Sequence, residues 1–220
     1  MRGIVSEAQN EFDKIRIEKQ SRSLTTGDVR KASARLFKGL NDKSKENVFA
    51  RCGELLDAGL HCVAFDFAHR MKNFYDDDTF FIFEGWLAKY VRGWGDCDDF
   101  CVHAFGELIH QKPRLFEQII PWTKREEFWM RRASAVVLNY TIQKGGSKKI
   151  SPLAISDLLM NDEHYLVLKG YGWMLKILST KEPKLVFDYL LKNENKMPRL
   201  AYRYALGKFD AETKKALMKK

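Results

Sequence analysis

Residues 90–101 read YVRGWGDCDDFC and place Asp96, Asp98 and Asp99 just behind Trp94, in a chain of formal net charge +9. A carboxylate beside an aromatic ring can stabilise a developing cation, and it can orient or deprotonate a water. The ring face attracts the same positive charge. The three aspartates differ in what a helix over 96–110 would ask of them. Asp96 suits the N-cap, and acidic groups in a first turn are favoured by the helix dipole. Asp99 is expected to face water. Asp98 lies nearest the apolar stripe of Cys101, Ala104, Phe105 and Leu108, and it follows Trp94 by four residues. Capping alone does not require that pairing, so Asp98 and Trp94 are the first candidates for chemistry.

Two further constellations carry suitable groups. In residues 163–179, EHYLVLKGYGWMLKILS, a stripe of Val167, Leu168, Tyr171, Met174, Leu175 and Leu178 predicts the buried face. Trp173 lies away from it and shares a face with Lys169 and Lys176 at i−4 and i+3. It either packs on a neighbouring helix or lines a groove. Gly170 and Gly172 each weaken a helix by about 1 kcal/mol relative to Ala, which suggests a close approach nearby. In EEFWMRRASAVVLNY, Trp129, Ala133, Val136, Val137 and Tyr140 form one stripe, with Arg132 at its border and Arg131 nearly opposite. A border arginine can aim its planar fork at a phosphate or close a salt bridge to the next helix.

The elements that must position these groups read as helices throughout, over residues 4–20, 27–40, 44–58, 62–72, 78–91, 96–110, 113–122, 126–143, 152–160, 163–179, 183–192, 198–208 and 211–219. Pro113, Pro152, Pro183 and Pro198 sit where helices begin. Helix lengths and a pairing interval of roughly 35 to 40 residues predict an all-α fold of stacked antiparallel hairpins of the HEAT type, a curved solenoid with a concave basic groove. The alternative to the stack is an irregular helical domain, and a single domain over 1–220 is expected. The 38 Lys and Arg against 29 Asp and Glu favour a polyanionic partner. Cys52, Cys62, Cys97 and Cys101 form no CxxC pair, so free thiols in a reducing compartment are expected, rather than zinc ligands. No apolar leader or run of ~20 apolar residues is seen, and no membrane association is expected.

Over roughly residues 28–208 the chain resembles the AlkD-like DNA alkylation repair glycosylases, HEAT-like repeat proteins that hydrolyse the N-glycosidic bond of alkylated purines. The resemblance rests on Trp94 and Asp98 in W-x-x-x-D, on FWMRRASAVVLNY, and on KGYGWMLKILSTKEPKLVFDYL. It implies Asp98 as the catalytic carboxylate, Trp94 and Trp173 as walls beside the lesion's sugar, and Arg132 as a DNA-contacting arginine. Arg131, Lys169 and Lys176 join the expected DNA surface, and Arg203 in RYALGKF resembles part of the family's closing helix. Gly95 stands where the family has an acidic residue, and Lys176 where arginine is common.

The implied reaction needs no cofactor and no metal. Alkylation at N3 or N7 makes the purine a cationic leaving group, so an anion near the oxocarbenium-like sugar and a positioned water suffice. The expected partner is duplex DNA carrying 3-methyladenine or 7-methylguanine, met by a monomer in the cytoplasm at the nucleoid. Two alternatives belong to other classes: a HEAT-like DNA-binding protein without glycosylase activity, and a helical protein-interaction scaffold. A metal-dependent hydrolase built on Asp76, Asp77, Asp78 and the later aspartates is weaker, because no histidine is spaced to join them and the run suits a solvated loop and helix cap.

Overall fold

The computed structural model describes residues 3–218. Lys219, the end of the last expected helix, lies outside the described residues. Those residues form helices and turns with no strand. The chain divides into two compact units, Met1–Tyr90 and Val91–Lys220.

The first unit holds α1 (Ile4–Lys19), α2 (Thr26–Lys38), α3 (Lys45–Asp57), α4 (His61–Arg70) and α5 (Asp78–Tyr90). Local chemistry fixes several starts. The Thr25 hydroxyl accepts from the Asp28 N–H while the Asp28 carboxylate accepts from the Thr25 N–H, a capping box that opens α2. The Ser44 hydroxyl caps α3. Asp76 accepts from the Thr79 N–H at 3.0 Å as α5 begins and is gripped by the Lys45 ammonium, so the aspartate run works as a cap. Phe65, Phe67, Phe80 and Phe83 are fully buried. Within this core Asp66 accepts from the Ser33 hydroxyl at 2.5 Å and the Arg70 Nε–H at 2.7 Å.

The second unit runs through α6 (Trp94–Phe100), α7 (Gly106–Gln111), α8 (Phe116–Ile119), α9 (Phe128–Val136), α10 (Leu138–Gln143), α11 (Pro152–Leu158), α12 (Tyr165–Leu178), α13 (Pro183–Lys192), α14 (Arg199–Ala205) and α15 (Ala211–Leu217). Helix α12 is its hub and packs against α9, α10, α11, α13 and α14. The stripe Val167, Leu168, Tyr171, Met174, Leu175 and Leu178 is buried as its spacing predicts. Pro152 and Pro183 occupy first-turn positions, whereas Pro198 stands one residue outside α14 as its N-cap.

The expected helix 96–110 differs in two ways. It starts at Trp94 with Gly93 as N-cap, so Asp96 is a first-turn residue and not the cap. It also passes through a π-helical segment, Cys101–Phe105, before α7. Gly106 permits this, because a Cβ there would lie 2.5 Å from the Cys101 carbonyl and 2.7 Å from Tyr140 Cβ. The expected helix 126–143 is divided at Val137 into α9 and α10, and 113–122 contains short 3-10 turns around α8.

Candidate active site

The early start of α6 puts Trp94 inside the helix, so Trp94 and Asp98 are i and i+4 on one face. Arg132 approaches from α9. Its Nε and Nη2 donate to the two Asp98 carboxylate oxygens, each at 2.8 Å, and its Nη1 donates to the Leu166 carbonyl in the first turn of α12. The salt bridge to a neighbouring helix is thus the role the geometry gives this guanidinium. The arginine side chain is 6% exposed and the Asp98 side chain 19%. Burial works against the Arg132 charge, but the hydrogen bonds and charge of Asp98 outweigh it and raise its pKa. The cation is therefore buried and the anion presented.

Room for this arrangement comes from the glycines of α12. A Cβ on Gly170 would meet Arg132 Cγ at 3.1 Å and Nη1 at 3.3 Å, so the missing side chain is where the arginine stem lies. On Gly172 it would meet the Ala201 carbonyl at 2.7 Å and Tyr204 Cβ at 2.8 Å, so this glycine admits α14. The helix weakness foreseen from KGYGW is exchanged for two close approaches.

A cavity of about 490 Å³ opens in front of the carboxylate. Trp94, Asp98, Arg132 and Trp173 line it together with Lys169, Lys176, Tyr165, Leu166 and Tyr204. Trp94 is 59% exposed, whereas Trp173 is half-buried. The Lys169 ammonium lies over the Tyr165 ring at 5.1 Å from its centroid and the Tyr204 ring at 5.9 Å. The Lys176 stem crosses the position a Gly207 side chain would fill. Neither Lys169 nor Lys176 has a carboxylate at ion-pair distance among the described residues, so the Asp98–Arg132 pair sits in a positively charged, aromatic recess. Among the described residues no three His, Cys, Asp or Glu side chains gather as metal ligands, and no helix is long and apolar enough to cross a membrane.

Other residues singled out from sequence lie elsewhere. The Arg131 guanidinium reaches Asp162 at 2.6 Å and the carbonyls of Arg125 and Glu126. Arg203 is exposed on α14 and is not among the cavity residues. Asp99, expected in water, has a side chain only 20% exposed and lies 3.8 Å from His103 on the next turn. Cys97 and Cys101 flank Asp98 as buried free thiols, and burial pushes the Cys101 pKa well up. Tyr165 and Tyr204 escaped the sequence reading. Tyr165 starts α12 outside its apolar stripe, and Tyr204 reaches the cavity only because Gly172 lets α14 close in.

Comparison with known proteins follows this geometry. A search of the curated proteins finds no match. Among solved structures, a chain described as a predicted DNA alkylation repair enzyme from Enterococcus faecalis is similar in fold, with a TM-score of 0.69 at 18% identity, over 86% of this chain and 87% of that one. The profile of the DNA alkylation repair enzyme family matches residues 7–209. That match spans nearly the whole chain, which therefore belongs to the DNA alkylation repair enzyme family.

Proposed function

We propose that the protein is a DNA glycosylase that hydrolyses the N-glycosidic bond of cationic alkylpurines such as 3-methyladenine and 7-methylguanine in duplex DNA. The observation that carries this reading is the Asp98 carboxylate, held by both oxygens on the Arg132 fork and presented to a cavity walled by Trp94 and Trp173.

The chemistry follows from that placement. A carboxylate has about four lone-pair sites, and the fork uses one on each oxygen. The remaining sites accept from a water and face the sugar. As the glycosidic bond lengthens, its electron pair leaves with the purine, whose ring charge is neutralised, and positive charge develops at the anomeric carbon. Asp98 stabilises that charge electrostatically and takes the water's proton as the new C–O bond forms. Each indole face adds about 0.5 to 2 kcal/mol of attraction for the same cation. Lys169 and Lys176 supply phosphate attraction without a competing carboxylate, with Arg203 as an outlying contact. Arg132 acts through Asp98, and Arg131 supports the neighbouring turn. No cofactor enters the scheme.

Selectivity then rests on the instability of the charged lesion, and neutral adducts are poor substrates. The HEAT-like reading belongs to the same proposal. It is supported within the first unit by successive helices that pack on one another, α1 on α2 and α3 on α4. The proposed enzyme acts as a monomer where the chromosome lies. Wild type and Asp98→Asn are incubated with duplex carrying a single 7-methylguanine, and released base is measured. Wild type is expected to leave an abasic site and the variant to leave the base in place. Salt-sensitive duplex binding without product would instead make the chain a binding protein.

A further inference from the structure

The helix that carries Arg132 and the helix that carries its Leu166 acceptor share a side chain that the proposed chemistry does not use. His164 is the N-cap of α12: its Nδ1 accepts from the Leu166 N–H at 3.3 Å. Leu166 is the residue whose carbonyl receives Arg132 Nη1. The imidazole also stacks on Phe128, with ring centres 4.0 Å apart and planes 8° from parallel. Phe128 is the first residue of α9, one turn before Arg132. The turn before α12 is tied to the same helix, because Asp162 accepts from the His164 N–H at 2.9 Å and from Arg131 Nε at 2.6 Å. One imidazole therefore fixes the start of α12, through a hydrogen bond, and the start of α9, through a ring face. These are the helix that carries Arg132 and the helix whose carbonyl receives its Nη1.

We propose that His164 is a positioning residue that keeps the Arg132 fork, and through it Asp98, in working orientation, and that it does so only while its ring is neutral. A protonated imidazole has no lone pair left on Nδ1, so the cap on Leu166 is lost when the ring takes a proton. The groups facing it are Asp162 and Arg131, with the Tyr165 ring stacked beside it at 5.3 Å. Burial lowers the pKa of His164; attraction to Asp162 opposes this, and repulsion from Arg131 assists it. The folded value thus lies below the ordinary histidine value. The neutral ring's contribution is fully present above the unfolded value, about 6.5, and disappears as pH falls through the lower folded one.

The kinetic part of this inference rests on the glycosylase reading; the spectroscopic part does not. His164→Asn keeps a side chain able to cap α12 and cannot titrate, whereas His164→Ala loses the cap. At pH 7.5, His164→Ala should lower kcat for 7-methylguanine release about fivefold, the loss expected for a missing cap, with KM nearly unchanged. His164→Asn, which keeps the cap but loses the ring face on Phe128, should lose less than His164→Ala. As pH falls through the folded value of His164, the ratio of His164→Asn to wild-type kcat should rise, because only the wild type loses its cap. Independently, the Arg132 Nε–H resonance in 15N spectra should exchange with water faster in His164→Ala than in wild type or His164→Asn. A wild-type kcat and a wild-type Arg132 resonance in His164→Ala, or a ratio flat with pH, would overturn the inference. If wild type released no base, the glycosylase reading would fail, and the resonance would decide the inference alone.

Discussion

Each unit contains an aspartate held by arginine, and the two pairs are built in opposite senses. In the first unit Asp66 is 8% exposed, while its partners Arg70 and Arg30 are 34% and 30% exposed. The anion is buried, the cations reach outward, and the Ser33 hydroxyl occupies a further carboxylate site. In the second unit Arg132 is 6% exposed and Asp98 19%. There the cation is enclosed, and the anion borders a cavity of about 490 Å³. A carboxylate consumed by its partners can only hold structure together, whereas one fixed from behind keeps lone pairs for a ligand. What separates a structural pair from a candidate catalytic pair is which member faces open space.

The contrast is broken most directly by neutralising each carboxylate. Asp98→Asn should lower base release per folded molecule by about a thousandfold, as expected for loss of a catalytic carboxylate, with duplex binding kept; it should also lower the thermal midpoint, because Arg132 is left buried without its anion. Asp66→Ala, which leaves the buried Ser33 hydroxyl without its acceptor, should destabilise the fold by about 1 to 3 kcal/mol, read from urea unfolding, with normal turnover per folded molecule. Equal effects of the two changes on turnover would erase the distinction.

Arg132→Lys sharpens the comparison at the cation. The charge survives but the two-pronged grip is lost, so turnover should fall about tenfold, measured as single-turnover base release. The corresponding Arg70→Lys change in the first unit should leave turnover alone.

The smallest effect belongs to an exposed carboxylate of neither kind. Asp76 caps α5 and pairs with Lys45, which with the Thr79 hydrogen bonds lowers its pKa to about 2, against opposition from desolvation. A lowered carboxyl stabilises the fold above its ordinary value of 3.8 and ceases to do so as pH falls toward about 2. The side chain is 57% exposed, so solvent screening leaves little beyond the cap itself, at most about 1 kcal/mol. Asp76→Ala should therefore lower the urea midpoint slightly at pH 6 and not at pH 2.

Much of the second unit was legible in the sequence where the relation between residues is local. The α12 stripe follows from a 3.6-residue period, and Trp94 with Asp98 follows from a spacing of one helical turn. The same logic misassigned Asp96 as the N-cap, because Gly93 also begins a helix and a propensity for capping does not exclude its neighbours. It sent Asp99 to water, because helical phase alone cannot show what covers a residue. The π-helical segment was hidden for a related reason: a Cβ at Gly106 would meet the Cys101 carbonyl and Tyr140, neighbours that periodicity does not reveal.

The helical character, the buried stripe of α12, the pairing of a tryptophan with an aspartate, and the excess of positive charge are legible in the chain's residues alone. These depend on residue type and short-range periodicity. Only the tertiary structure decided that Arg132 spends its fork on Asp98, 34 positions away, rather than on solvent or a phosphate. It alone brought Tyr165 and Tyr204 to either side of Lys169 and turned Arg131 to Asp162. The physical reason is that a side chain's partner depends on which helices pack together. In this unit that packing is set by where Gly170 and Gly172 let neighbours approach.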